Sequence, residues 1–116
     1  MPTLAGRFQA QAMRVPTVNV SAMDLSVIVT QSVNAQSVNS ALAAASEKMP
    51  TILGYTVEPL ASCDFNHDAR SGIIDASQTR VSGNHLVKVL TWFDNEWGFA
   101  NRMLDVVKKI QRLGNR

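Results

Sequence analysis

The sequence predicts an α+β domain: a mainly antiparallel sheet with helices on one face, ending in a long C-terminal helix. Three observations point there. Strand-like runs crowd the second half and are separated by short turn clusters, not by helices. Only two stretches place apolar residues at helical spacing, too few for repeating strand–helix–strand units. With 116 residues, 46% hydrophobic and 17% charged, the chain can bury one core and is too apolar for a disordered tail.

The elements follow in order. Phe8 to Val15 alternates small or apolar residues with polar ones, as a strand would, until Pro16 removes a backbone donor. Val18 to Thr30 is rich in β-branched residues and predicts a long, half-buried strand. Ser32 and Asn34 then offer capping oxygens. Val38, Leu42, Ala45 and Met49 follow on one helical stripe, and Pro50 closes the helix. Ile52–Val57, Leu60–Phe65, Gly72–Val81 and Leu86–Phe93 are expected strands. Among their turns, Ser82-Gly83-Asn84 is the strongest hairpin signal, because Gly and Asn accept positive φ. Asp94 or Asn95 can cap the last helix. Its stripe is Phe99, Met103, Val106, Ile110 and Leu113, and Gly114 is its stop.

Charge narrows the function classes. The formal net charge is +2. After Ala100 five basic residues, Arg102, Lys108, Lys109, Arg112 and Arg116, face one acid, Asp105, a balance of +4 that leaves −2 for the first hundred positions. The basic end suits a helix C-terminus. No aromatic side chains are interleaved with it for stacking, so no nucleic-acid partner is expected. No apolar run approaches the ~20 residues of a membrane span, so no membrane partner is expected either. A single cysteine excludes an internal disulfide framework. The expected compartment is the cytoplasm.

Few groups are equipped for chemistry. Cys63 falls in a strand-like run, away from any helix N-terminus that would activate a thiol, and is expected to be a buried or half-buried structural residue. Asp64, His67 and Asp68 lack the spacing of a calcium or zinc site, so no metal is expected. Arg14 either lays its stem along a sheet edge or offers its planar fork to phosphate or carboxylate oxygens. Asn95 can cap the helix or hold a carboxamide, and the residues themselves favour capping. No Gly-rich phosphate loop and no dinucleotide fingerprint occurs. No catalytic residue is therefore assigned.

Several strings taken together resemble a known family. These are Met13-Arg14-Val15-Pro16-Thr17-Val18-Asn19-Val20, Asp24-Leu25-Ser26, Leu53-Gly54-Tyr55-Thr56, Ser62-Cys63-Asp64-Phe65-Asn66-His67-Asp68, and Val89 to Gly98 with its Trp92-Phe93-Asp94-Asn95-Glu96-Trp97 centre. In this order they resemble the C-terminal part of the glyceraldehyde-3-phosphate dehydrogenase family, from about Arg7 to about Val107. Asp64 to Asp68, Thr79 to Gly83 with His85-Leu86, and Glu96 to Met103 are most similar to its erythrose-4-phosphate dehydrogenase branch.

The resemblance implies an NAD-dependent oxidation of a sugar-phosphate aldehyde. In that branch the product is 4-phosphoerythronate, on the way to pyridoxal phosphate. The alternatives are a parent glyceraldehyde-3-phosphate enzyme of glycolysis, or a non-enzymatic module for oligomerisation or anion binding. It implies that Arg14 binds the substrate phosphate and Asn95 the nicotinamide carboxamide. Phe99 stands where many relatives have a tyrosine. The family's Ser-Cys-Thr-Thr-Asn-Cys motif is not in this sequence, and neither His67 nor His85 matches the catalytic histidine's context. Residues 1–116 are therefore expected to be the C-terminal part of the catalytic domain, without the N-terminal NAD-binding Rossmann domain. Alone they are expected to be inactive, to bind no NAD, and to form a homo-oligomer. The stripe of Phe99, Met103, Val106 and Ile110 would otherwise stay bare, and exchange of the terminal helix is one route to that assembly.

Overall fold

A computed structural model describes residues 2–114. Met1, Asn115 and Arg116, the last counted above in the basic end, lie outside the described residues. Four strands form one sheet: β1 (Ser21–Ile28), β2 (Leu53–Thr56), β3 (Gly72–Ser82) and β4 (Leu86–Phe93), in the order β1-β4-β3-β2. Helix α1 (Ala35–Lys48) joins β1 to β2, and α2 (Asn95–Gly114) follows β4. The fold class is as expected. The sheet is mixed: β1–β4 and β3–β4 are antiparallel, and β2–β3 is parallel. The parallel pair forms because the chain from Val57 to Ser71 carries β3 back to begin beside the start of β2, Leu53 opposite Gly72.

The sheet buries side chains on both faces. Ile74, Val87 and Val89 point to the face that α1 covers, where Val38, Leu42, Leu53 and Tyr55 pack on them. Ile73 points the other way and meets Val20 and Phe65, with Leu60 and Trp92 beside them. The Phe65 and Trp92 rings stack with centroids 5.5 Å apart. The period-2 alternation of β3 thus serves two small cores, one under α1 and one under the segment before β3.

Local chemistry explains the boundaries. Asn34 caps α1: its side chain accepts from the Ser37 N–H at 2.8 Å, while the Asn34 N–H donates to the Ser37 hydroxyl at 3.0 Å. Gly83 and Asn84 both take positive φ in the β3–β4 turn, as that turn signal requires. Between Asp75 and Arg80 the β3–β4 register shifts. The carbonyls freed there find side chains: Asn39 donates to Ala76, and Arg80 to Ser77 and Thr79.

Three expectations are corrected. Phe8–Val15 forms no strand and is exposed throughout, because no strand among the described residues pairs with it. The strand expected over Val18–Thr30 is confined to Ser21–Ile28, since Val20 adopts a left-handed φ of 73° that no strand accommodates. Leu60–Phe65 is not a strand: Ser62–Phe65 is a 3-10 turn, closed where the Asp64 carboxylate accepts the Ala61 N–H at 2.7 Å. Met49, at the end of the α1 stripe, is also exposed.

Helix α2 touches the body only near its start. Gly98 is buried, and Arg102 donates to the Thr51 carbonyl at 3.0 Å. From Met103 to Gly114 every residue is exposed, including the apolar stripe.

Candidate functional site

The chain's chemistry converges on Asp94. Its side chain is 1% exposed and accepts four hydrogen bonds. Two come from the Glu96 and Trp97 N–H groups at 3.1 and 2.9 Å, which caps α2. The Asn19 amide donates at 2.9 Å and the His67 N–H at 2.9 Å. Burial pushes the Asp94 carboxyl up, but the donors from Trp97, His67, Asn19 and Glu96 outweigh it and hold it below the ordinary aspartate range. One carboxylate therefore ties together the segment before β1, the loop before β3 and the root of α2.

Because Asp94 is the cap, Asn95 is not. Asn95 is the first helical residue, exposed, and its carbonyl oxygen accepts only a long 3.4 Å bond from the Ser21 hydroxyl. The favoured capping role for Asn95 is thereby corrected. Arg14 lies on the exposed segment before β1 rather than in a strand. Both residues line one open groove of about 760 Å³, with Thr17, Ser21, Ser62 and Glu96.

The segment carrying Arg14 is fixed at its C-terminal end. Val20 is buried against Phe65 and Ile73, and its left-handed backbone costs a β-branched residue about 1–2 kcal/mol. The Asn19 amide, bonded to both Asp94 and Asn66, holds that conformation in place. Nothing in the sequence signals this strain, since Val18-Asn19-Val20 continues a strand-like alternation.

Arg70 organises the joint between β2 and α2. Its guanidinium pairs with Asp68 through two nitrogens, Nε at 2.8 Å and Nη2. The Arg70 hydrogen bond lowers the Asp68 pKa, and burial opposes it only in part. The guanidinium lies across Gly54, where an added Cβ would fall 2.4 Å from Nη1. The Arg70 carbonyl lies against Gly98, 2.9 Å from where a Cβ would stand.

Cys63 is exposed on the 3-10 turn, not buried as expected. It does not line the Arg14–Asn95 groove. Cys63→Ser is expected to change melting temperature by less than a few degrees, as for an ordinary surface substitution, checked by thermal scanning. Among the described residues no group of three His, Cys, Asp or Glu could hold a metal. No helix among them is long and apolar enough to cross a membrane.

Over residues 1–95 the sequence matches the family described as glyceraldehyde 3-phosphate dehydrogenase, C-terminal domain.

Proposed function

The chain belongs to the glyceraldehyde 3-phosphate dehydrogenase family as its C-terminal domain, and from that premise we propose that it supplies part of the substrate and cofactor walls of an NAD-dependent sugar-phosphate aldehyde dehydrogenase. The parent reaction is the oxidation of erythrose 4-phosphate to 4-phosphoerythronate. The observation that supports this most is the shared groove: Arg14 and Asn95, far apart in sequence, line one open space.

The division of labour follows from the side chains. Arg14 is exposed and cationic, and its fork matches two phosphate oxygens. Thr17 and Ser21 bring further hydroxyls to the same groove. Glu96 sets one negative charge beside them and disfavours a second anion at that end. Asn95 has a donor and an acceptor, the complement of a carboxamide, and its amide is not consumed in capping. The nicotinamide of NAD fits that donor set, and when bound NAD would accept the hydride. The chain's residues would orient its carboxamide and hold the substrate phosphate. The nucleophilic cysteine and the base are not among these residues, so the chain alone turns over neither aldehyde.

The bare stripe on α2 supports a homo-oligomer, because an apolar surface of several hundred Å² is seldom left uncovered. The cytoplasm is the proposed compartment.

The test joins the chain to a family NAD-binding domain carrying the cysteine motif and follows NADH production at 340 nm. Erythrose 4-phosphate is the expected preferred aldehyde; preference for glyceraldehyde 3-phosphate with inorganic phosphate would reassign the substrate. Arg14→Ala should raise KM for the phosphorylated aldehyde roughly 10- to 100-fold, the loss of one or two charge-assisted bonds. Asn95→Ala should raise KM for NAD instead. An unchanged KM for both ligands would remove these two residues from the site.

A further inference from the structure

We propose that Asn19 is the positioning residue of the groove: through Asp94 it sets the place of both Arg14 and Asn95, so that substrate phosphate and cofactor meet one shared support. The inference rests on the dehydrogenase reading above and deepens it. It starts from how a single carboxylate is divided. The Asp94 Oδ1 atom serves α2, accepting the Glu96 and Trp97 N–H groups. The Oδ2 atom serves the rest of the chain, accepting the His67 N–H and the Asn19 amide, each at 2.9 Å. The carboxylate is planar and 1% exposed, so its two oxygens turn together. What fixes Oδ2 therefore also fixes the start of α2, where Asn95 directly follows Asp94.

Asn19 is suited to that task by its donors. An ionised carboxylate only accepts, so the Asn19 nitrogen, not its oxygen, must face Asp94. The donors around Asp94 hold it ionised, and a bond to a charged acceptor is of the stronger kind. The two hydrogens of the Asn19 nitrogen have two acceptors, Asp94 Oδ2 and Asn66 Oδ1. Asn19 lines the groove too, yet its donors are committed to the protein and not offered to a ligand.

Arg14 is reached from the same residue, because the stretch between them is stiff. Pro16 fixes one φ. The Thr17 N–H donates to the Val15 carbonyl at 2.8 Å, and the Thr17 hydroxyl to the Asn19 carbonyl at 3.3 Å. On the other side Val20 is buried with a left-handed φ of 73°, so Asn19 stands beside a fixed neighbour. Ser21 then makes a second contact with the root of α2, through the 3.4 Å bond to Asn95. The segment from Arg14 to Ser21 and the start of α2 thus behave as one piece, although 75 positions separate Asn19 from Asp94.

The test uses the same joined enzyme and follows NADH at 340 nm. Arg14→Ala should raise only the KM for the aldehyde, and Asn95→Ala only that for NAD. Asn19→Ala should raise both, each roughly tenfold, and kcat should fall by less than either KM rises. In an Arg14→Ala background, Asn19→Ala should leave the aldehyde KM where it stands, since no fork remains to be placed. Asn34→Ala, which removes the α1 cap, is the stability control and should leave both constants unchanged. Should Asn19→Ala not fold by circular dichroism, Asn19→Ser, which keeps a shorter donor, is read by the same two constants. With Arg14→Ala and Asn95→Ala acting as expected, a folded Asn19 variant that raises neither KM, or only one, overturns the positioning role alone. An equal rise of both constants in Asn34→Ala overturns it as well, because lost stability then explains the effect. If Arg14→Ala and Asn95→Ala change neither constant, the groove reading falls and this inference falls with it.

Discussion

Asp94→Ala should lower the unfolding free energy by about 3–4 kcal/mol, read from urea denaturation. The cap alone is worth about 1 kcal/mol. The Asn19 amide and the His67 N–H then lose their acceptor, and an unsatisfied donor costs about 1–3 kcal/mol. For a domain of this size, that is a large share of the total. Asp94→Asn keeps the shape but turns one acceptor into a donor facing donors, so it should recover less than half of the loss. The same carboxylate sets an acid limit. Its folded pKa lies below the unfolded value of about 3.9, so the unfolded chain binds the proton more tightly. The contribution is whole above about pH 5 and is lost as pH falls through the lower, folded value. Asp68, also held low, acts with the same sign. Thermal scans from pH 7 to pH 3 should show the wild-type melting temperature falling steeply only at the acid end. The Asp94→Ala scan should be flatter there.

Gly98→Val should destabilise the chain by about 3 kcal/mol and loosen α2 from the body. Replacing a glycine inside a helix ordinarily helps, by up to about 1 kcal/mol for alanine. Here the first added carbon would stand 2.9 Å from the Arg70 carbonyl oxygen. That oxygen cannot swing away freely, because the Arg70 N–H and guanidinium are both bound to Asp68. Overpacking against fixed backbone costs about 1–3 kcal/mol, and valine adds two further carbons to the clash. Gly98→Ala should give a smaller loss of the same sign. Faster hydrogen exchange at Trp97–Asn101, without a change in α1, would localise the effect. A stabilised Gly98→Ala variant would show that the contact yields.

Much of the fold is legible where the determinant is local. The Asn34 cap, the Val38–Leu42 stripe and the Gly83-Asn84 turn each act within a few residues, and each element stands where its signal lies. The misplaced strands fail for two different reasons. Alternation in Phe8–Val15 specifies two faces but not a partner, and a strand needs one. Leu60–Phe65 is a short apolar run whose period is ambiguous, and the Asp64 side chain wins it for a turn. Of the proposed site, Arg14 and Asn95 are legible by resemblance. Asp94 was visible only as a helix cap, because its bonds to Asn19 and His67 span 75 and 27 residues.

The free length of α2 makes it a lever. From Gly98 to Gly114, sixteen residues at about 1.5 Å each give an arm of about 24 Å. Its fulcrum is the Gly98–Arg70 contact, and its short end carries Asn95. A tilt of about 5° at the fulcrum displaces the far tip by some 2–3 Å while Asn95 moves only a few tenths of an ångström. Whatever grips the distal turns therefore sets the angle of Asn95 finely, with a mechanical advantage of several to one.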